Sequence, residues 1–366
     1  KNSSYSIGGN YFTQDGIVGG SKSSFDRYNA RVNLINTLSD KLNLSSVFLF
    51  THEKRKSLPE NGIGSVLYNT INAFPNRPII GPDGNYEYLV EVSDIINPIA
   101  QIENTHNQAL VNKLVGKQEF SFKFNENLTF NNRLNYNYAL VDNKSFSPLA
   151  WYGPGKYANS AINADLDPTM VFDGFVYNQE FETYDSVFLE RGASVYEQRA
   201  TYLDLNFESY LNYNKKIDDH NIKGTLGTSV FRRKGDALNG TGFNIPNNSI
   251  DYADISANMA QNGYLNNTGS YEFEERLLST FLRGEYSYKY KYIISGILRR
   301  DGSSKFGPNN RYGIFPTISA AWVVSEEESF LQNNEAINFL KCRVSYGVSG
   351  NDQIANFAYR ALLDGE

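Results

Sequence analysis

Three aromatic residues in one short segment are the first candidates for ligand chemistry. Trp151, Tyr152 and Tyr157 lie within WYGPGKY, where glycine and proline indicate a loop. Loops held by a rigid scaffold often contain binding residues, and aromatic rings stack well on sugar rings. We therefore take these three residues as candidate substrate contacts. The alternative is that their rings only pack the loop against itself.

Residues that could perform catalysis form no recognisable constellation. The histidines are separated along the chain, at His52, His106 and His220. The pair His52-Glu53 begins a zinc-protease pattern, but Lys56 stands where the second histidine is needed. The sequence contains neither a Walker phosphate loop nor a G-x-S-x-G nucleophile elbow. It therefore predicts a protein that is not an enzyme.

Metal and cofactor chemistry has equally weak signals. Asp165 and Asp167, like Asp251 and Asp254, are spaced so that they could contact calcium, but neither pair has the glycine of an EF-hand loop. Solvated carboxylates in turns are the simpler interpretation. Cys342 is the single cysteine, so no internal disulfide is possible, and it alternates with apolar residues. We expect no metal and no cofactor.

The composition favours an amphipathic sheet at an interface. Tyrosine and phenylalanine dominate an aromatic share of 14%, yet the mean hydropathy is −0.46. This pairing is typical of rings at a boundary between water and an apolar phase. The net charge of −6 disfavours nucleic acid as a partner. No apolar run reaches the ~20 residues of a membrane helix. The chain begins at Lys1 without a signal sequence, so we expect a processed chain or a piece of a longer one.

Apolar and polar residues alternate along much of the chain, and these stretches could position a site. Between Leu128 and Val141, even positions are mostly apolar or aromatic and odd positions mostly polar, which predicts a strand between two different environments. A strand of ~14 residues rises about 45 Å, more than is needed to cross an apolar band of ~25 Å. Eleven such strands are predicted, near 5–18, 25–38, 42–55, 108–124, 128–144, 193–214, 220–235, 273–288, 291–301, 312–325 and 338–350.

Short and long connections alternate between these strands. Long segments at 56–107, 145–192 and 240–272 are separated by short turns. Outer-membrane barrels have this asymmetry, with the long loops outside the cell, whereas a soluble sandwich explains the alternation but not the loop lengths. We predict that one face points to lipid and the other to the lumen. The lipid set is Leu134, Tyr136, Leu205, Phe207, Val344 and Tyr346, and the lumen set is Asn135, Asp204, Glu208 and Arg343.

Two motifs connect the chain with a known family. The segment RRDGSSKFGPNNRYGIFPTISAAWVVSEEESFL, from Arg299 to Leu331, is followed by INFLKCRVSYGVSGNDQI, from Ile337 to Ile354. Together they resemble the TonB-dependent outer-membrane transporters of the SusC/RagA family. The N-terminal stretch from Tyr5 to Leu44 is similar to that family as well. The long loops between these segments resemble the family only in general character. No substrate-binding residue can therefore be transferred from the family.

The resemblance implies an all-β fold, a transmembrane antiparallel barrel segment of about half of a ~22-stranded barrel with long extracellular loops. It implies residence in the outer membrane of a Gram-negative bacterium, in contact with its lipid. Residues 1–366 would be a partial barrel domain, without the plug domain and the C-terminal barrel strands. The implied partners are a SusD-like surface lipoprotein and, through the plug, the TonB–ExbB–ExbD complex.

Import of oligosaccharides is the implied function. The alternatives are a peptide importer of the same family, or a non-transporting surface adhesin or glycan-binding β protein.

Overall fold

The structure is a computed structural model. It describes residues 3–59, 62–82, 84–87, 95–148, 150–152, 157–158, 171–172, 175–178, 183–186, 193–243, 245, 249–257, 267–327, 337, 339–356 and 358–359. None of the helices in this part of the chain is long and apolar enough to cross a membrane.

Strands dominate the described residues. In chain order they are β1 Ser3–Gly16, β2 Gly20–Ser39, β3 Leu42–Lys56, β4 His106–Lys123, β5 Leu128–Ser147, β6 Ala150–Trp151, β7 Tyr157–Ala158, β8 Val171–Phe172, β9 Phe175–Asn178, β10 Thr183–Ser186, β11 Ser194–Ile217, β12 His220–Gly242, β13 Asn267–Tyr288, β14 Tyr292–Ser303, β15 Tyr312–Val323 and β16 Lys341–Gly347. Two short helices, α1 Val66–Asn72 and α2 Pro98–Glu103, lie between β3 and β4.

One antiparallel sheet of eleven strands contains β1–β5 and β11–β16, each paired with its neighbours in that order. This confirms the predicted number and sequence of long strands. The last strand is shorter than the predicted 338–350, because ladder pairing with β15 ends at Gly347. Within the described residues, no ladder joins β1 to β16, so the sheet has two open edges as predicted.

The two rims of the sheet carry different connections. Backbone hydrogen bonds join successive short turns, from Lys123 to Lys41 (2.8 Å) and from Asn214 to Asn127 (2.8 Å). The turn at Asp218 reaches a positive φ of 48°, which suits a tight hairpin. Because neighbouring strands are antiparallel, the segments 57–105, 148–193 and 243–266 all leave from the opposite rim. The predicted separation of these three segments from the turns near Asp40, Asn127 and Asp218 is confirmed, although the short turn between β1 and β2 shares the long-segment rim.

Aromatic rings fill the spaces left by glycines on neighbouring strands. A Cβ on Gly227 would lie 2.5 Å from the ring of Phe281, and a Cβ on Gly116 would lie 2.0 Å from the ring of Tyr136. Each ring therefore occupies the space above the glycine of the adjacent strand. This packing fixes side chains on a single-layer sheet, which has no second layer to hold them.

The buried core of the described residues lies at the long-segment rim, not between two layers. Phe146 and Val195 are almost fully buried there and cluster with Ala193, Ile245 and Ala253. A second buried unit joins the two helices between β3 and β4, where the Asn69 amide donates to Gln101 Oε1 at 2.8 Å. These contacts give the ends of the strands a packed cap.

Candidate functional site

The register confirms that the sheet has two chemically different faces. Leu205 lies across from Tyr136, and Phe207 lies across from both Leu134 and Val230. Following the pairing from β11 to β16 places Val344 and Tyr346 on this same face. The same pairing places Asn135, Asp204, Glu208 and Arg343 on the other face. The predicted division of these ten residues is therefore confirmed.

The apolar face is exposed to an unusual degree. Leu282 is 53% exposed and Tyr346 is 75% exposed, and similar values recur at Leu226, Leu298 and Ile318. Soluble monomers rarely present a contiguous apolar surface of this kind. Along β13 the apolar side chains run from Tyr288 to Leu278. Ten residues span ~33 Å along a strand, or ~25 Å vertically at a tilt of ~40°, which matches the apolar band of an outer-membrane barrel.

Aromatic residues mark the short-turn end of this face. Tyr292 donates to Glu327 Oε1 at 2.5 Å, and Trp322 Nε1 donates to the same oxygen at 3.1 Å. The pKa of the Glu327 carboxyl is lowered, first by the hydrogen bond from Tyr292 and then by that from Trp322. Lys291 lies 3.7 Å from the carboxylate. Amphipathic rings with their polar atoms directed to a charged rim are typical of a membrane boundary.

Beyond the apolar band, the same face carries a charged ladder that the sequence analysis did not single out. Arg232 Nε donates to Glu274 Oε1 at 2.8 Å, and Arg276 contacts the same carboxylate. Next along β12 and β13, Lys234 and Glu272 form a further ion pair at 2.8 Å. The alternation of charges in YEFEER, before RLLSTF, was the available signal. These charged side chains require water and not lipid around them. This part of the strands therefore lies beyond the apolar band.

The polar face holds charged networks that a water-filled lumen can accommodate. Arg133 contacts Glu119 at 2.6 Å and Glu208 at 3.4 Å, and it donates to Tyr210 at 2.9 Å. Farther along the sheet, Arg233 contacts Asp204 at 2.8 Å. These ion pairs cross from strand to strand and match charges locally.

The motif that carries the family resemblance serves mainly to shape the rim. Lys305 contacts Glu275 at 3.2 Å, and Ser303 donates to Asp352 at 3.1 Å. A cleft of about 540 Å³ lies between this turn and the segment after β16, with Arg299 and Phe315 among its walls. The motif residues thus connect three strands to their loops, which agrees with a structural role.

Of the three candidate contacts, only Tyr152 has a described side chain. Trp151 and Tyr157 are paired across the two-stranded β6–β7 sheet, and their side chains lie outside the described part of the structure. Tyr152 is only 5% exposed. Burial raises the pKa of Tyr152 to about 12, against a smaller lowering by a hydrogen bond with Asn104. Tyr152 therefore packs the loop, while a contact role for Trp151 and Tyr157 stays a prediction.

The histidines and acidic pairs show no metal-binding arrangement among the described residues. His52 Nδ1 lies 2.8 Å from Asn112, and His220 Nδ1 lies 2.6 Å from Tyr286. Asp254 accepts a bond from Ser256 N at 2.7 Å, as a turn carboxylate does. The Asp165 and Asp167 pair lies outside the described residues. Cys342 is exposed on the apolar face, across from Trp322.

Known receptors resemble this chain in sequence. No family model matches the chain. TonB-dependent receptor P26 of Formosa agariphila is 29% identical over 370 residues, which cover 99% of the chain and 33% of the receptor. TonB-dependent receptor SusC of Bacteroides thetaiotaomicron is 22% identical over 390 residues, covering 99% of the chain and 34% of SusC. The chain is a homologue of the TonB-dependent receptors. It spans about a third of the length of these curated relatives.

A solved structure has the same fold as this TonB-dependent receptor homologue. The RagAB peptide importer in its open-open state superimposes with a TM-score of 0.76, at 18% identity, over 98% of the chain and 36% of the matched chain. The eleven-stranded sheet therefore has the fold of about a third of that transporter chain. The family expected from the sequence motifs is confirmed.

Proposed function

We propose that this chain forms part of the wall of an outer-membrane importer that takes up oligosaccharides. The observation that carries the proposal is the division of one long-stranded sheet into an exposed apolar face and an ion-paired polar face. Such a sheet suits a boundary where lipid covers one side and water the other. An adhesin in water would have to cover the apolar face in another way.

The energy source and the partner follow from the same proposal. The importer would draw on the TonB–ExbB–ExbD complex through a plug domain supplied by the full-length protein. A SusD-like lipoprotein would contact the rim that carries 57–105, 148–193 and 243–266. Those long segments begin and end at the rim opposite to the turns near Asp40, Asn127 and Asp218, which supports this placement. Surface proteolysis of whole cells tests it, since cleavage confined to the turns near Asp40, Asn127 and Asp218 would contradict it.

Peptides are the second candidate substrate. The observation in their favour is the likeness to a structure described as a peptide importer. Oligosaccharides are preferred because the long segments are rich in polar and aromatic residues, which suit sugar stacking. Outer-membrane residence in a Gram-negative bacterium is common to both candidates.

Uptake by intact cells distinguishes the candidates. A strain lacking the full-length gene is compared with the complemented strain, each supplied with labelled oligosaccharides or peptides. We expect complementation to restore oligosaccharide uptake and a TonB disruption to abolish it. Restoration of peptide uptake only would transfer the assignment to peptides. Surface binding without TonB-dependent uptake would favour the adhesin.

Trp151→Ala should reduce uptake, and if uptake is unchanged, Trp151 has no stacking role.

A further inference from the structure

A cleft on the polar face of the first four strands is lined by cations. Its volume is about 480 Å³, and its walls include Arg27, Arg31 and Lys113, with Glu53 as an acidic member. The register explains the grouping. Asn10, Asn29, Thr51 and Lys113 form one cross-strand row, with Arg31 and Arg27 in the rows on either side.

These cations lack the carboxylate partners that several other cations on this face have. In the described part of the chain, Arg27, Arg31 and Lys113 take part in no ion pair. Glu53 lies across from Arg27 in the register but forms no ion pair with it. Five cations on the polar face of β5 and β12–β14 each contact a carboxylate: Arg133, Lys223, Arg233, Arg283 and Arg299. The cleft therefore groups three cations with one carboxylate, Glu53. Arg55 and Arg343, elsewhere on the same face, also form no ion pair among the described residues.

The guanidinium of Arg27 is already positioned. It lies 5.7 Å from the ring centre of Phe12 and 5.9 Å from that of Phe25. Its Nε atom is buried and has no hydrogen-bond partner among the described residues. Arg31 Nε donates to Asn33 at 3.1 Å, which orients a second guanidinium. Two oriented guanidinium groups suit the oxygens of carboxylate or sulfate groups, which can accept paired hydrogen bonds.

The remaining lining suits a hydroxylated ligand. Asn29 donates to Asn10 at 2.6 Å, and Thr51 donates to Asn29 at 2.8 Å, so the amides form a fixed row of polar groups. Gly8 leaves the floor open, because a Cβ there would meet nothing within 4 Å. Phe12 remains 41% exposed beside Arg27 and offers an apolar surface to a sugar ring.

We propose that this cleft is a subsite for anionic oligosaccharides, recognising the uronate carboxylate or sulfate group of a sugar. The inference rests on the proposed import function and narrows its substrate class. The cations raise the local concentration of anionic ligands, the amide row binds hydroxyl groups, and Phe12 supports the ring.

Binding to the purified full-length receptor tests the proposal. The probes are an oligogalacturonate, a neutral galactose oligosaccharide of the same length, and hexaglutamate as an acidic peptide. We expect Arg31→Gln and Lys113→Gln each to weaken oligogalacturonate binding about tenfold, the effect of one lost charge-assisted hydrogen bond. Binding of the neutral sugar should not change, and Lys113→Arg should restore the affinity. The matched control is Arg232→Gln, which removes one positive charge from the opposite face.

The outcomes separate this inference from the import function. Unchanged oligogalacturonate affinity in both glutamine variants would overturn the subsite, as would equal losses for charged and neutral sugars. Binding of hexaglutamate but not of oligogalacturonate would overturn it in favour of acidic peptides. Circular dichroism of each variant verifies that the strand content is retained. If the binding assays refute the subsite but TonB-dependent uptake of neutral sugars persists, the proposed import function remains valid without the subsite.

Discussion

An arginine scan of two neighbouring residues tests which face of the sheet meets lipid. Leu211 lies across from Leu226 and Phe130 on the apolar face, near the middle of the band. Asn212, the next residue, lies on the polar face and accepts a hydrogen bond from Thr225 at 2.9 Å. Both positions have nearly the same depth, so Leu211→Arg and Asn212→Arg differ mainly in the environment of the new charge.

The two substitutions should differ widely in their effect on stability. An arginine on the lipid face at the bilayer midplane costs ~2–4 kcal/mol. Asn212→Arg loses one hydrogen bond of ~1 kcal/mol and keeps its charge in water. We therefore expect Leu211→Arg to lower the unfolding free energy by ~1–3 kcal/mol more than Asn212→Arg.

Equilibrium unfolding of the full-length protein in phospholipid vesicles, with urea as denaturant, gives the comparison. Tryptophan fluorescence follows the transition, and the unsubstituted protein provides the reference. Equal losses for the two variants would show that both faces meet the same environment, which contradicts the two-faced sheet. A larger loss for Asn212→Arg would reverse the assignment of lipid and lumen.

Two further substitutions follow from packing and from burial. Gly227→Ala should destabilise the protein by ~1–3 kcal/mol, because the new methyl group displaces the ring of Phe281. Gly284→Ala meets nothing within 4 Å and is the matched control, so equal unfolding midpoints would contradict the ring packing. Tyr152 has a raised pKa of about 12, so its contribution to stability is present below pH 10 and is lost as the pH rises towards 12. Tyr152→Phe should remove this alkaline loss, which thermal unfolding between pH 9 and 12 measures.

Much of the fold could be predicted because strands repeat every two residues. The alternation around Leu128 located β5, and similar patterns located the other ten long strands. The division of Leu205 and Arg343 onto opposite faces was predictable for the same reason. The short helices α1 and α2 were not predicted, because their stability depends on contacts such as Asn69 with Gln101, which are distant in sequence.

The candidate site was less predictable than the sheet. Aromatic composition singled out Tyr152, but composition cannot show that its ring is buried. The cationic cleft was missed because Arg27, Arg31 and Lys113 belong to different strands. Their grouping depends on the cross-strand register, and an unpaired cation has the same sequence signature as a paired one.

The charged ladder at Arg232 and Glu274 sets how far the rim stands from the lipid. From Arg232, β12 continues to Gly242. Ten residues add ~33 Å along the strand, or ~25 Å of height at a tilt of ~40°. The paired strands β11 and β12 thus raise their part of the rim clear of the membrane surface. A partner held by a lipid anchor would need a tether or a body of about that height to reach this part of the rim.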